Sequence, residues 1–530
     1  MKRDGKPVVR KFHKRLNTRR LSRLLTVLYV LSVIPILALG WYDYPAADDF
    51  SMGLWAHQAF ASSGNFFAAV GAGLARTAWY YGHWQGDFTA SFFMAVPPNV
   101  FAIRLYVLTP LLMVGMLTLA YLLFFHVLFV KMLGMDGNLA NGITMLVLLV
   151  TMQCMPGSSA GSTARTEAFY WYNSSCGYTL LYSFGLIYLS LLLSLTFIGG
   201  EKKIGKLFLA SLFGFLTGGG NYLTALSMMV LSVLVLFAAV LPRNREKRQW
   251  LLSGIPVLFL TAGFLISVRA PGNAVRAGSL EGMGPVKTVL VSLYYTLSYA
   301  VNQWTTWSVI CFLLLMLPLF WKAAEAFYGN SRNGKPAAVT FRYPGIAVLL
   351  AFGFPAVSIC PPLYAEGNIG AGRIQALFWM QYILCMVLLE GYLTGLIYGF
   401  SKEQKKEETP AVSDQQKNTD LSMTCSGSFC FILLLLVFGS GLAVGVNRDL
   451  YTSTAALTDL LNGHAAVYAQ ENEDRYALLE DPAIQDAVLP DFTEKPALLF
   501  YSDVSTDAQD WTNQAVARFF GKNSVILEEH

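Results

Sequence analysis

Long apolar stretches recur along this chain, and they leave it few ways to fold. Several run to about 18 or more residues with few or no charges, enough to cross the roughly 30 Å hydrocarbon layer as helices. Leu24–Gly40 is the first of them. Inside lipid every backbone polar group must find a partner within the chain, so such segments are expected as helices. Composition agrees: 55% of the 530 residues are hydrophobic and only 13% are charged. A soluble chain carries roughly a quarter charged residues. The sequence reads as a polytopic α-helical membrane protein. Its formal net charge of +5 falls in short loops between apolar segments. It is therefore an orientation signal, and no nucleic-acid partner is expected.

Hydropathy places spans near 24–42, 103–130, 139–156, 177–199, 205–219, 222–241, 250–268, 303–321, 345–361, 374–399 and 427–446, about eleven in all. Residues 1–23 carry ten Lys/Arg against one acid, Asp4. The positive-inside rule puts that end in the cytoplasm. The basic or mixed segments near 202–203, 243–248, 322–342 and 402–417 suit inner loops. An odd number of spans places 447–530 outside, where fifteen acids face five Lys/Arg. Leu24–Gly40 resembles a signal peptide, but no small-x-small cleavage site follows, so it is read as an uncleaved span. The expected organisation is a basic cytoplasmic N-terminus (1–23), a transmembrane domain (24–446) with an outer first loop (43–100), and an extracytoplasmic C-terminal α/β domain (447–530). The expected location is a bacterial cytoplasmic membrane.

Local patterns add detail. The first loop is rich in aromatics and glycine, with an amphipathic helix near 66–81. Residues 287–302 are short for a crossing and suit an interfacial helix. Gly218-Gly-Gly-Asn221 reads as a tight helical-hairpin turn, and 402–424 as a polar flexible linker. Strands are expected at 496–502 and 524–527, around a helix at 507–520. The seven cysteines form no CxxC pair, and Cys154 and Cys176 are read as small packing residues.

The strong polar groups gather on one side of this topology. Asp48-Asp49 follows the first span; next come His83-Trp84-Gln-Gly-Asp87, Arg165-Thr-Glu167 and Trp171, Arg269 to Asn273 and Arg276, and Glu366 to Arg373. A carboxylate beside lipid is expensive and marks function, and adjacent acids push their proton affinities apart. The plainer reading of Asp48 is a helix N-cap. Arginine forks suit phosphate, and aromatic faces suit sugar rings. The plainer readings are arginines anchored to headgroups, an aromatic belt of tryptophans, a loop histidine at His83 and a Glu167–Arg165 pair. Walker, Rossmann and HExxH motifs are missing, as are His/Cys clusters at metal spacing. This argues against an ATP-driven pump and a zinc protease.

The acidic pair after the first span, the long first loop, about eleven spans and the outer C-terminal segment together resemble the GT-C superfamily of polytopic glycosyltransferases. Asp48-Asp49-Phe50, Trp84-Gln-Gly-Asp-Phe88, Tyr170-Trp171 with Tyr178, Ala270-Pro-Gly-Asn273 with Arg276, and Asp503, Asp507, Trp511 and Asn513 resemble a bacterial membrane-protein group, the DUF6056 family. The resemblance implies a GT-C-like bundle, a first-loop acid (Asp48 or Asp49) as general base, and a polyprenyl-phosphate sugar as donor and co-substrate. Where related families carry Arg after the motif glycine, this chain has Asp87, leaving Arg76, Arg269, Arg276 or Arg373 to supply the cation. The expected activity is metal-independent sugar transfer, with no cofactor, to a cell-surface or lipid-linked glycan acceptor. A transporter or flippase of a lipid-linked glycan is the alternative. Its ionisable groups would sit mid-membrane on broken helices, whereas these spans are nearly free of charge.

Overall fold

In the computed structural model, residues 17–157, 164–198, 203–240, 247–278, 280–331, 341–408 and 414–528 are described. The basic N-terminal residues 1–16, and the parts of the basic loops at 199–202, 241–246, 332–340 and 409–413, lie outside the described residues.

Asn17 accepts the first free amides of the helix Thr18–Leu39 through its side chain, at 3.0 and 3.3 Å, and so starts it. Past Arg19, Arg20 and Arg23 that helix is apolar on most of its surface. Leu21, Leu25 and Tyr29 face the core, while Val27, Val30 and Leu31 stay exposed, the pattern of a segment packed on one face and lipid-covered on the other. Among the described residues, eight helices are long and apolar enough to cross a membrane, or nine if the pair Leu252–Val268 and Pro271–Ala277, bent by 52°, is one span. Gly137–Gln153 is apolar but shorter, and Lys203–Gly218 has 16 residues. The chain is thus a polytopic α-helical membrane protein. Tyr172–Ile198 is the most enclosed span, 78% buried, and Phe429–Val446 the least, at 11%.

At three places the secondary structure is that read from sequence. The first loop forms the helices Asp48–Ser63, Phe66–His83 and Phe88–Ala95. Residues 287–302 fall within the helix Pro285–Tyr299 and the π turn after it, packed on Pro344–Glu366. Gly219-Gly220 turns the chain between Lys203–Gly218 and the helix Tyr222–Val240, where Asn221 Oδ1 takes the Thr224 amide at 2.8 Å.

Two features differ. The described residues of 402–424 are helical, in the ends of Gly372–Glu408 and Asp414–Val446. Lys, Glu and Gln favour helix, so polarity there did not mean a loop. Residues 496–502 form no strand: the Pro496 carbonyl takes the amides of Leu499 and Phe500 at 3.1 and 2.9 Å, turning the chain. The strand β2 (Ser524–Leu527) pairs instead, in parallel, with β1 (Asp486–Leu489), and the helix Trp511–Phe520 lies between them in sequence.

The C-terminal segment is fastened to the bundle rather than hung from it. Arg165, nearly buried, donates to the carbonyls of Asp449 (2.7 Å), Leu450 (3.0 Å) and Met155 (2.8 Å). Thr452 Oγ1 donates to the Met152 carbonyl at 2.6 Å, and Phe50 of the first loop packs edge-on to Phe519 at 5.2 Å.

Candidate functional site

The helix Asp48–Ser63 begins at a strained corner. Ala47 has φ +48°, the one positive φ at a non-glycine position among the described residues. Such a conformation costs about 1–3 kcal/mol and persists only where its surroundings fix it. Here Trp171 Nε1 donates to the Ala46 carbonyl at 3.2 Å, and Asp49 Oδ2 accepts the Ala46 amide at 3.1 Å. The N-cap position is thus Ala47, and Asp48 and Asp49 are the first two helical residues, so the cap reading of Asp48 does not hold.

The corner sends the two acids different ways. Asp49 is fully buried: its carboxylate accepts the Tyr106 hydroxyl (2.6 Å), the Asn173 amide (3.0 Å) and the Ala46 amide. Burial pushes it up to about 7, against the pull of those donors. Asp43, also buried, is held well above the carboxylate range by burial and by the neighbouring Asp49 charge. Asp48 faces open space, its carboxylate taking only the Ser51 hydroxyl at 3.4 Å. Burial raises its pKa, while Arg373 and Arg276 draw it down.

That space is a cavity of about 460 Å³. The carboxylates Asp48 and Asp87, the arginines Arg76, Arg276 and Arg373, and the rings of Trp79, Tyr80, Trp84, Trp171 and Tyr178 line it. Asp87 accepts from Ser91 Oγ at 3.3 Å, and burial, outweighing the Arg276 charge, lifts it to about 7.

Each arginine is placed by identifiable partners. Glu167, 1% exposed, accepts the Gly372 and Arg373 amides at 3.0 and 3.1 Å and the Arg373 guanidinium at 3.0 Å. It caps the helix Gly372–Glu408 from another element, where a negative charge meets the positive helix end, and aims Arg373 through Oε2, which takes both its amide and its guanidinium. Arg276 donates to Gln85 Oε1 at 2.5 Å and to Glu366 Oε1 at 3.3 Å. Arg76 is caged by Tyr80, Trp79 and Trp55, whose ring centres lie 4.4, 4.7 and 4.9 Å from its guanidinium carbon.

Two motifs far apart in sequence interlock to form one wall. Asn273 Oδ1 accepts the Gly86 amide at 2.9 Å and the Tyr222 hydroxyl at 3.1 Å. A side chain on Gly86 would drive into the Ser267 carbonyl and come within 2.7 Å of Ala270 Cβ. One on Gly272 would meet the Trp84 amide at 2.6 Å and the Tyr80 carbonyl at 2.7 Å. Glycine at both positions lets backbone touch backbone, and that contact sets where Trp84, Gln85 and Asp87 stand.

Of the residues expected at a site, Asp48, Arg76, Trp84, Trp171, Arg276 and Arg373 therefore share one cavity. Glu167, Glu366 and Asn273 lie behind it and position its members, whereas Arg165 fastens the C-terminal segment. His83 is exposed, stacked on Trp79 at 4.8 Å and bonded to its carbonyl at 2.9 Å; Arg269 is exposed, and neither lines the cavity. Residues singled out less clearly in the sequence also line it: Asp87, Gln85, Ser51, Asn173 and Tyr178. Asp87 carried a readable signal, a carboxylate set among aromatic residues. Tyr501, 3.5 Å from Trp171 between ring centres, carried none.

Among the described residues no group of three His, Cys, Asp or Glu is placed to hold a metal ion. A scan of protein-family models matches none to this chain, and a search of curated proteins finds no match.

Proposed function

We propose that the chain is a glycosyltransferase of the GT-C type, moving a sugar from a polyprenyl-phosphate donor to a glycan acceptor at the outer face of a cytoplasmic membrane. One observation carries the reading: an unencumbered carboxylate, Asp48, shares a ring-lined cavity with three arginines at one end of an apolar helical bundle. The donor's phosphate would meet Arg276 and Arg373, whose planar forks match its oxygens. Its lipid chain would stay in the bilayer, and the aromatic walls would take the sugar.

In the step itself the acceptor oxygen attacks the anomeric carbon as its proton passes to Asp48. The bond from that carbon to the phosphate oxygen breaks, and its electron pair leaves on the phosphate, inverting the configuration. The leaving group is already anionic, so it needs cations more than an acid. Asp49 is the poorer base, because both its oxygens are engaged and it does not line the cavity. Asp48 must be unprotonated to act, so transfer rises with pH through a pKa that burial has raised from its ordinary value against the pull of Arg373 and Arg276.

The test is Asp48→Asn, purified in nanodiscs and assayed with a panel of polyprenyl-phosphate monosaccharides. Transfer should fall by about 10²–10⁴-fold, the usual cost of a positioned base, while melting stays near wild type. Wild-type transfer in that variant would sink the mechanism.

A further inference from the structure

Charge within the cavity is unevenly met. Arg373 pairs with Glu167 at 3.0 Å and Arg276 with Glu366 at 3.3 Å, so each already has a counter-charge. Arg76 has no carboxylate in ion-pair contact among the described residues; its company is three aromatic rings and the Tyr80 hydroxyl, and its Nε is buried without a hydrogen-bond partner. Ring faces attract a guanidinium but leave its charge whole, and a half-buried cation with a bare donor is costly until an anion arrives. The cage is built in advance, since Trp79 is itself stacked on His83.

The walls differ too. Arg76 rises from Phe66–His83, whereas Arg276 and Arg373 come from Pro271–Ala277 and Gly372–Glu408. Asp48 is within electrostatic reach of Tyr80 on the first wall and of Arg373 and Arg276 on the others. The base therefore shares its cavity with two cationic places, one compensated and one not.

We propose that Arg76 receives a second anion, a phosphate or carboxylate carried by the acceptor, at a subsite separate from the arginine pair that takes the donor. This rests on the glycosyltransferase reading and narrows it: the acceptor is an acidic glycan or a phosphate-bearing lipid-linked one. An acceptor anchored at Arg76, on a different helix from the donor arginines, would leave them free to hold the departing phosphate while its hydroxyl reaches Asp48.

The experiment uses the full chain in nanodiscs, farnesyl phosphate as the donor-like anion and inorganic phosphate as the second. Native mass spectrometry should show both bound to wild type together, and mutual exclusion would overturn the proposal without any variant. In the presence of saturating farnesyl phosphate, Arg76→Gln should weaken inorganic phosphate binding by about tenfold or more, as loss of a charge-assisted hydrogen bond does, with farnesyl phosphate affinity unchanged. Arg373→Gln should do the converse. Wild-type phosphate affinity in Arg76→Gln means the arginine is only an aromatic anchor. Unchanged farnesyl phosphate affinity in both Arg276→Gln and Arg373→Gln would instead count against the donor site, a failure distinct from this one.

Discussion

The helix Gly372–Glu408 passes two cavities. Near its start, Arg373 and Tyr178 help line a space of about 460 Å³ that holds two carboxylates and three arginines. Eighteen residues on, Leu388, Gly391 and Gly395 line a second of about 160 Å³, walled by Phe129, Phe320, Ala324, Phe327 and other apolar groups. At 1.5 Å per residue the two are about 27 Å apart, close to the thickness of a bilayer's hydrocarbon. The second is what imperfect packing of helices leaves behind. The first is held open at a cost: a strained Ala47, a buried Asp49, and glycines where backbones touch. Packing alone does not maintain such a space, so the expense points to use.

That contrast can be broken at several points. The largest effect is expected at the interlock: Gly272→Ala pushes a methyl into the Trp84 and Tyr80 backbone and shifts Asp87 and Gln85. A displacement near 1 Å costs about 10²-fold in transfer, read against a bundle that still purifies folded. Next, Arg373→Gln should weaken polyprenyl-phosphate binding by about 1.5–3 kcal/mol, measured by calorimetry. Unchanged affinity there would reduce Arg373 to a helix-end partner of Glu167.

The third effect concerns stability. Asp49 has a folded pKa of about 7, above its ordinary value of 3.8, so the folded state keeps a proton that the unfolded chain has already released. This contribution is whole below about pH 4 and is lost as pH rises through about 7. Asp49→Asn, always neutral, should flatten that part of the melting-temperature profile; a slope equal to wild type would show that other groups set it. The smallest effect belongs to the apolar cavity. Ala324→Leu should change stability by no more than about 1 kcal/mol either way and leave transfer untouched.

The apolar helical character of the chain was legible because it is written locally, in apolar run length and 3.6-residue period, although about eleven spans were expected and eight or nine helices among the described residues are long and apolar enough to be one. Asp48, Arg276 and Arg373 were legible as chemistry, because charge beside lipid is rare. What distinguishes Asp48 from its neighbour was not: adjacent acids look alike until Tyr106 and the Asn173 amide claim one of them. Nor was the pairing of β2 with β1, which depends on a contact from Asp486 to Ser524 that no local pattern announces. Residues 496–502 misled for the opposite reason, since an apolar run after proline suits a buried turn as well as a strand.

The stacking of Tyr501 on Trp171, and of Phe519 against Phe50, also has a consequence in time. The ribosome delivers Asp48 early and its braces late. Until residues 449–527 have been made and have reached the same side of the bilayer, the corner at Ala46–Ala47 lacks part of its support. Competence therefore arrives as a late event in the protein's biogenesis, and a chain stopped short in its last segment would hold every charged group of the cavity without the scaffold that aims them.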